Sequence, residues 1–124
     1  MYGMEYPLKN YIMNFDETQI IELKNITPNL SIAEEGGYEF ILIEGLKLPD
    51  GCQPTVVDAL LCPTPREGYQ SRLYFSEKIG GCPARNWNGN IRVLERNWYA
   101  ISWQVPSGLK LFEILFVHLK ALRT

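Results

Sequence analysis

The residues best equipped for chemistry in this 124-residue chain fall between Cys82 and Trp103. Cys82 stands in a glycine- and proline-bearing loop, Gly80-Gly81-Cys82-Pro83, next to Arg85 and near Lys78. Cationic neighbours favour the thiolate, so a loop cysteine of this kind can act as a nucleophile. The other reading is a small, half-buried packing thiol. Cys52 and Cys62 adjoin strand ends and read as packing residues. Trp87, Trp98, Tyr99 and Trp103 crowd the same stretch. They suit a satellite core under a long loop and equally a binding surface, since Trp and Tyr are preferred interface anchors. His118 is the only histidine. It falls within the apolar arc of the C-terminal run, which suits a packed, hydrogen-bonded core residue better than a general base.

Other chemistries are excluded. One histidine rules out, within one chain, an H-E-x-x-H zinc site and any other site needing two imidazoles. Three cysteines without a C-x-x-C pair argue against a zinc site and a disulfide framework, and fit a reducing cytosol. No cofactor is implied. Twelve basic and fourteen acidic residues give a net charge of −2, so there is no electrostatic reason to expect nucleic acid or an anionic membrane. Arg85, Arg92 and Arg96 alternate with the aromatics, but no RNA-binding signature accompanies them. No apolar run approaches the roughly 20 residues needed to cross a bilayer. Residues 1–14 lack the basic and apolar regions of a secretory signal. A cytoplasmic location is expected.

The elements that must position these residues follow from pattern. Residues 16–24 open with a capping aspartate, and their apolar positions suit a helical turn or a strand equally. Residues 29–37 carry turn chemistry. Residues 38–46 alternate and are rich in β-branched and aromatic side chains, so they read as a strand. Pro49-Asp50-Gly51 is a turn, and 55–62 and 70–76 are two further strands. The chain is irregular from 79 to 90, and residues 90–103 could form a ribbon of two short strands. Leu111, Leu115, Leu119 and Leu122 share one face of a helix predicted over 109–123, with Pro106 and Ser107 near its start and Lys120 and Arg123 near its end. Strands joined by short turns and closed by one amphipathic helix give an α+β domain, an antiparallel meander with the helix across one face.

From Tyr38 onward the sequence resembles the ubiquitin-conjugating enzyme fold, and in particular its small bacterial members found in operons with ubiquitin-like proteins. VVDALLCPTPREGYQSRLYF (56–75) resembles the family's strand, proline, turn and strand, with Gly68-Tyr69 at its Tyr-Pro turn. CPARNWNGNIR (82–92) resembles the segment from the His-Pro-Asn motif through Asn-Gly to the catalytic cysteine. Trp103, Pro106 and the closing helix supply the third landmark. The resemblance implies residues 1–37 as an N-terminal segment with a short helix or strand, 38–124 as the conjugating-enzyme-like core, and one domain overall.

Carried over residue by residue, Pro83 matches the motif's proline, while Cys82 stands at its histidine and Ala84 at its asparagine. Asn88 and Gly89 match Asn-Gly. Arg92 occupies the position of the catalytic cysteine, and a guanidinium cannot form a thioester. The resemblance therefore implies a component of a bacterial ubiquitin-like modification system that lacks the standard catalytic cysteine. Its partners would be a ubiquitin-like protein or its activating enzyme, with Trp87, Asn88, Trp98, Tyr99 and Trp103 as binding residues. One alternative is an active conjugating enzyme with its thioester on Cys82. Another is an interaction module unrelated to ubiquitin.

Overall fold

The computed structural model describes residues 15–83 and 85–123. Asp16 decides the first ambiguity in favour of a helix, α1 (Glu17–Ile26). Its carboxylate accepts the Gln19 backbone N–H at 3.1 Å, which satisfies a donor that a helix start leaves unpaired. Ile20 and Leu23 then point one way and are buried.

Strand β1 (Leu30–Glu35) follows and pairs with β2 (Tyr38–Lys47) from Leu30↔Ile43 to Glu35↔Tyr38. Only Gly36-Gly37 of the expected turn segment is a turn. Both adopt positive φ (61° and 84°), as a tight hairpin loop whose twist matches its strands requires. β1 escapes sequence reading because it is an edge strand, half exposed, and ends in two glutamates that such a position tolerates.

Strands β3 (Val56–Cys62) and β4 (Arg72–Phe75) extend the meander. After an irregular stretch, β5 (Gly89–Val93) and β6 (Arg96–Ala100) form the expected ribbon. The simple meander ends here. β6, not β5, lies against β4, joined through Phe75↔Tyr99, so the antiparallel order is β1-β2-β3-β4-β6-β5. The long connection after β4 carries the chain past the neighbouring position and returns it in the hairpin's second strand.

Helix α2 (Leu111–Lys120) starts two residues later than predicted, because its N-cap is Lys110, whose N–H the Glu113 carboxylate accepts at 2.9 Å. Gln19 of α1 accepts the Leu111 N–H at 3.0 Å, which ties the two helices together at α2's start. Both helices bury their apolar stripes against the same sheet face, where Ile20, Leu23, Leu111 and Leu115 meet Ile41, Ile43, Leu61 and Phe75. α1 and β1 thus share one core with the later elements.

The opposite face holds a second cluster of Phe40, Leu60, Tyr74 and Trp98. No helix covers it. Instead the ends of the sheet approach each other: the Leu94 N–H, in the β5–β6 turn, donates to the Glu35 carboxylate of β1 at 3.0 Å. The Arg66 guanidinium lies over Tyr38, 4.3 Å from its ring centroid, and adds a polar lid.

Candidate functional site

Arg72 organises the region that the sequence singled out. It sits on β4, whose four residues are all buried, and is only 3 % exposed. A guanidinium so placed must spend its donors on protein acceptors. One nitrogen donates to Asn88 Oδ1 at 2.7 Å and to the Ile101 carbonyl at 3.2 Å. Another donates to Glu67 at 3.1 Å. Asn88 immediately precedes β5 and Ile101 immediately follows β6, so Arg72 holds both ends of the hairpin.

Gly89 is what allows the approach. A Cβ there would stand 2.9 Å from the Arg72 Nη2 and 2.9 Å from the Ala100 Cβ. Glu67 also accepts the Tyr74 hydroxyl at 3.0 Å, and Arg66 Nε donates to that hydroxyl at 3.2 Å. Burial, and then the Glu67 carboxylate, push the Tyr74 phenol well above its usual range.

Asn88 joins this buried network to the surface. Its amide nitrogen donates to the Tyr69 hydroxyl at 2.9 Å, which shares a further 2.9 Å bond with Ser102 Oγ. The Tyr69 ring stacks on Arg72, 4.1 Å from guanidinium to centroid. The Ser102 and Asn88 bonds, with a smaller effect of Arg72, lower the Tyr69 pKa. Tyr69, Asn88 and Ser102 therefore present a fixed polar patch with defined donors and acceptors.

The other predicted residues take diverse places. Cys82 is half-buried, packs on the main core cluster, and directs its thiol at the Ile79 carbonyl, 3.8 Å away. Its two cationic neighbours are engaged elsewhere. Arg85 donates to the Ala121 carbonyl at 2.8 Å and lies over Trp103, while Lys78 lies 5.9 Å from the Tyr99 ring centroid. Cys52 and Cys62 are buried, and burial raises both thiol pKa values.

Arg92 is exposed on β5, its guanidinium held by Asn97 Oδ1 at 3.1 Å and the Glu95 carbonyl at 3.0 Å. Ala84, at the asparagine of the family motif, lies outside the described residues.

The tryptophans divide. Trp98 is fully buried in the second cluster and donates its indole N–H to Val93 at 2.8 Å, so it has no face to offer a partner. Trp87 packs edge-on against Phe75, and Trp103 donates to the Val117 carbonyl at 3.0 Å; each keeps part of its ring at the surface, as does Tyr99. The satellite-core reading thus holds for Trp98, and an exposed remainder is left by the other three.

Ser71 and His118 form a buried 2.9 Å pair that superficially matches a nucleophile and its base. Burial, and then the Arg72 charge, lower the His118 pKa to about 3. A base so weak, facing a cation where a triad would have an orienting carboxylate, is structural. Among the described residues no group of three or more His, Cys, Asp or Glu side chains could hold a metal ion. No helix among them is long and apolar enough to cross a membrane.

Sequence reading missed Arg72 and Tyr69 as the partners of Asn88, and Glu67 and Ser102 as the residues bonded to those two. A usable signal was present: Arg72 opens the apolar run Leu73-Tyr74-Phe75 of a predicted strand, and a charge drawn into a buried strand must have partners. Comparison of the chain with family models, curated proteins and solved structures finds no match.

Proposed function

We propose that the chain is a non-catalytic, conjugating-enzyme-like component of a bacterial ubiquitin-like modification system. It binds the ubiquitin-like protein, or the enzyme that activates it, through the surface around Asn88. The carrying observation is Arg92. At the position where the resemblance places the thioester cysteine, an exposed guanidinium is tethered to Asn97 and Glu95. It offers a charge and hydrogen-bond donors to a partner, and no nucleophile.

Further support comes from the order of elements. From Tyr38 onward, strands β2 to β4, the irregular stretch after them and the closing helix follow in the order of the landmarks that carry the resemblance, with the β5–β6 hairpin before that helix. The docked residues Asn88, Trp87, Tyr99 and Trp103 are held by Arg72, Phe75 and α2, and such pre-organisation lowers the cost of binding. The alternative, a thioester on Cys82, has less support: the thiol faces a backbone carbonyl and neither nearby cation is directed at it. Three free cysteines suit the reducing cytoplasm in which such a system would work.

Titration of the ¹⁵N-labelled chain with the ubiquitin-like proteins of the same genome, and with the enzyme that activates them, tests the reading. Saturable shifts are expected at Asn88, Arg92, Tyr99 and the Trp87 and Trp103 indoles. Silence from all of them at high micromolar concentration would refute it and favour an interaction module unrelated to ubiquitin.

A further inference from the structure

α2 buries Leu111, Ile114, Leu115 and His118 and turns Phe116 outward, 48 % exposed. Phe116 and Ile26 (45 %) are two of the four large apolar side chains most exposed among the described residues. Both line one groove between the end of α1, α2 and the chain following β2, made of two hollows that share Lys47, Phe116 and Leu119. The larger hollow, about 710 Å³, has Leu48, Pro49, Phe116 and Leu119 as its apolar lining. Lys47, Lys120 and Arg123 complete it, and no carboxylate is among its described lining residues. Glu44 lines the smaller hollow.

Three cations around one apolar hollow is a marked concentration in a chain whose net charge is −2. Lys120 and Arg123 also complement the negative end of α2. Lys47 comes from β2, where that role does not exist, yet it lines the same hollow. The groove uses none of the residues around Asn88.

We propose that this groove is a docking site for a segment of a partner protein in which acidic residues flank one or two large apolar side chains. The apolar lining takes the large side chains, and the Lys47, Lys120 and Arg123 charges select for the acids and orient the segment. A hollow between α1, α2 and the chain after β2 has room for a single chain segment, whereas a membrane surface is entered by a broad apolar face and not by Phe116 alone.

The probe is a fluorescein-labelled peptide of about twelve residues with leucine and phenylalanine set among glutamates, followed by anisotropy with the full chain. Saturable binding that weakens with salt is expected. Lys47→Glu and Arg123→Glu should each weaken it about three- to tenfold, since each turns an exposed attraction into a repulsion. Phe116→Ser should weaken it at least about fivefold by removing an apolar contact. These side chains are exposed, and circular dichroism checks that each variant is folded. The same peptide with lysine in place of glutamate should not bind.

Absence of saturable binding to about 1 mM would overturn the proposal, as would binding indifferent to all three variants. Two further outcomes would overturn it by naming another occupant. One is a dimer in sedimentation that Phe116→Ser dissolves; the other is binding to phosphatidylglycerol vesicles without binding to the peptide. Loss of peptide binding would leave the Asn88 surface and its titration untouched, so the two readings fail separately.

Discussion

Arg72→Met removes the clamp on the β5–β6 hairpin while keeping most of the aliphatic volume. Three hydrogen bonds are lost, and they are unequal. The Glu67 carboxylate is about 40 % exposed, so water replaces much of that contact and its share is at most about 1 kcal/mol. Asn88 is exposed and can also rehydrate. The Ile101 carbonyl lies beside a buried side chain, and an acceptor left without its donor there costs about 1–3 kcal/mol. Relief of the guanidinium's own desolvation offsets part of the loss.

The net expectation is a destabilisation of about 1–3 kcal/mol, measured by urea unfolding with fluorescence detection. Hydrogen exchange should also accelerate locally, in residues 88–101, before the rest of the sheet opens. A loss below about 1 kcal/mol, with Asn88 and Ile101 resonances unmoved, would show that Arg72 does not hold the strip.

Three further expectations follow. His118 is the only histidine, and its folded pKa near 3 lies below the unfolded value of 6.5. The unfolded state therefore binds more protons between those values. The stability this contributes is complete well above pH 6.5 and declines as the pH falls, the slope approaching about 1.4 kcal/mol per unit below about pH 5.5; unfolding curves from pH 7 to 5 should lose about 2 kcal/mol in this way, and His118→Gln should flatten them. Gly89→Ala pushes a methyl against Arg72 and Ala100 and should cost about 1–3 kcal/mol. In the Arg72→Met background the cost should shrink, which a double-mutant cycle by urea unfolding reads; strict additivity would contradict the contact. Cys82→Ser keeps a donor for the Ile79 carbonyl and should change stability by less than about 1 kcal/mol, leaving partner binding by titration intact; loss of binding would return the thiol to the mechanism.

The α+β class, the closing helix and strands β2 to β4 were legible because the apolar patterns over 38–46, 55–62, 70–76 and 109–123 are strong. β1 was not, since an exposed edge strand has no continuous apolar face to display. The β5–β6 ribbon was legible as alternation, but its position in the sheet was not. The choice of β6 over β5 as neighbour of β4 rests on the Phe75↔Tyr99 pairing and on Arg72 reaching both hairpin ends, which are long-range facts.

The candidate site divides in the same way. Residue type alone suggested a tryptophan surface, yet Trp98 sits at an inward position of β6 and is consumed by the second core cluster. Asn88 came from resemblance, and its physical role, coupling Arg72 to Tyr69, depends on residues 16 to 19 positions away. Nothing in the local sequence around Asn88 encodes those partners.

The most direct test of the central claim is mass spectrometry of one mixture, read under native and then denaturing conditions. The mixture holds the chain, a ubiquitin-like protein of the same genome, its activating enzyme and ATP. A complex of the chain with the ubiquitin-like protein or the activating enzyme is expected in the native spectrum, and the chain at its unmodified mass in the denaturing one. An adduct that forms only with ATP, survives denaturation and disappears with thiol reductant would contradict the account, because the chain would then carry a thioester.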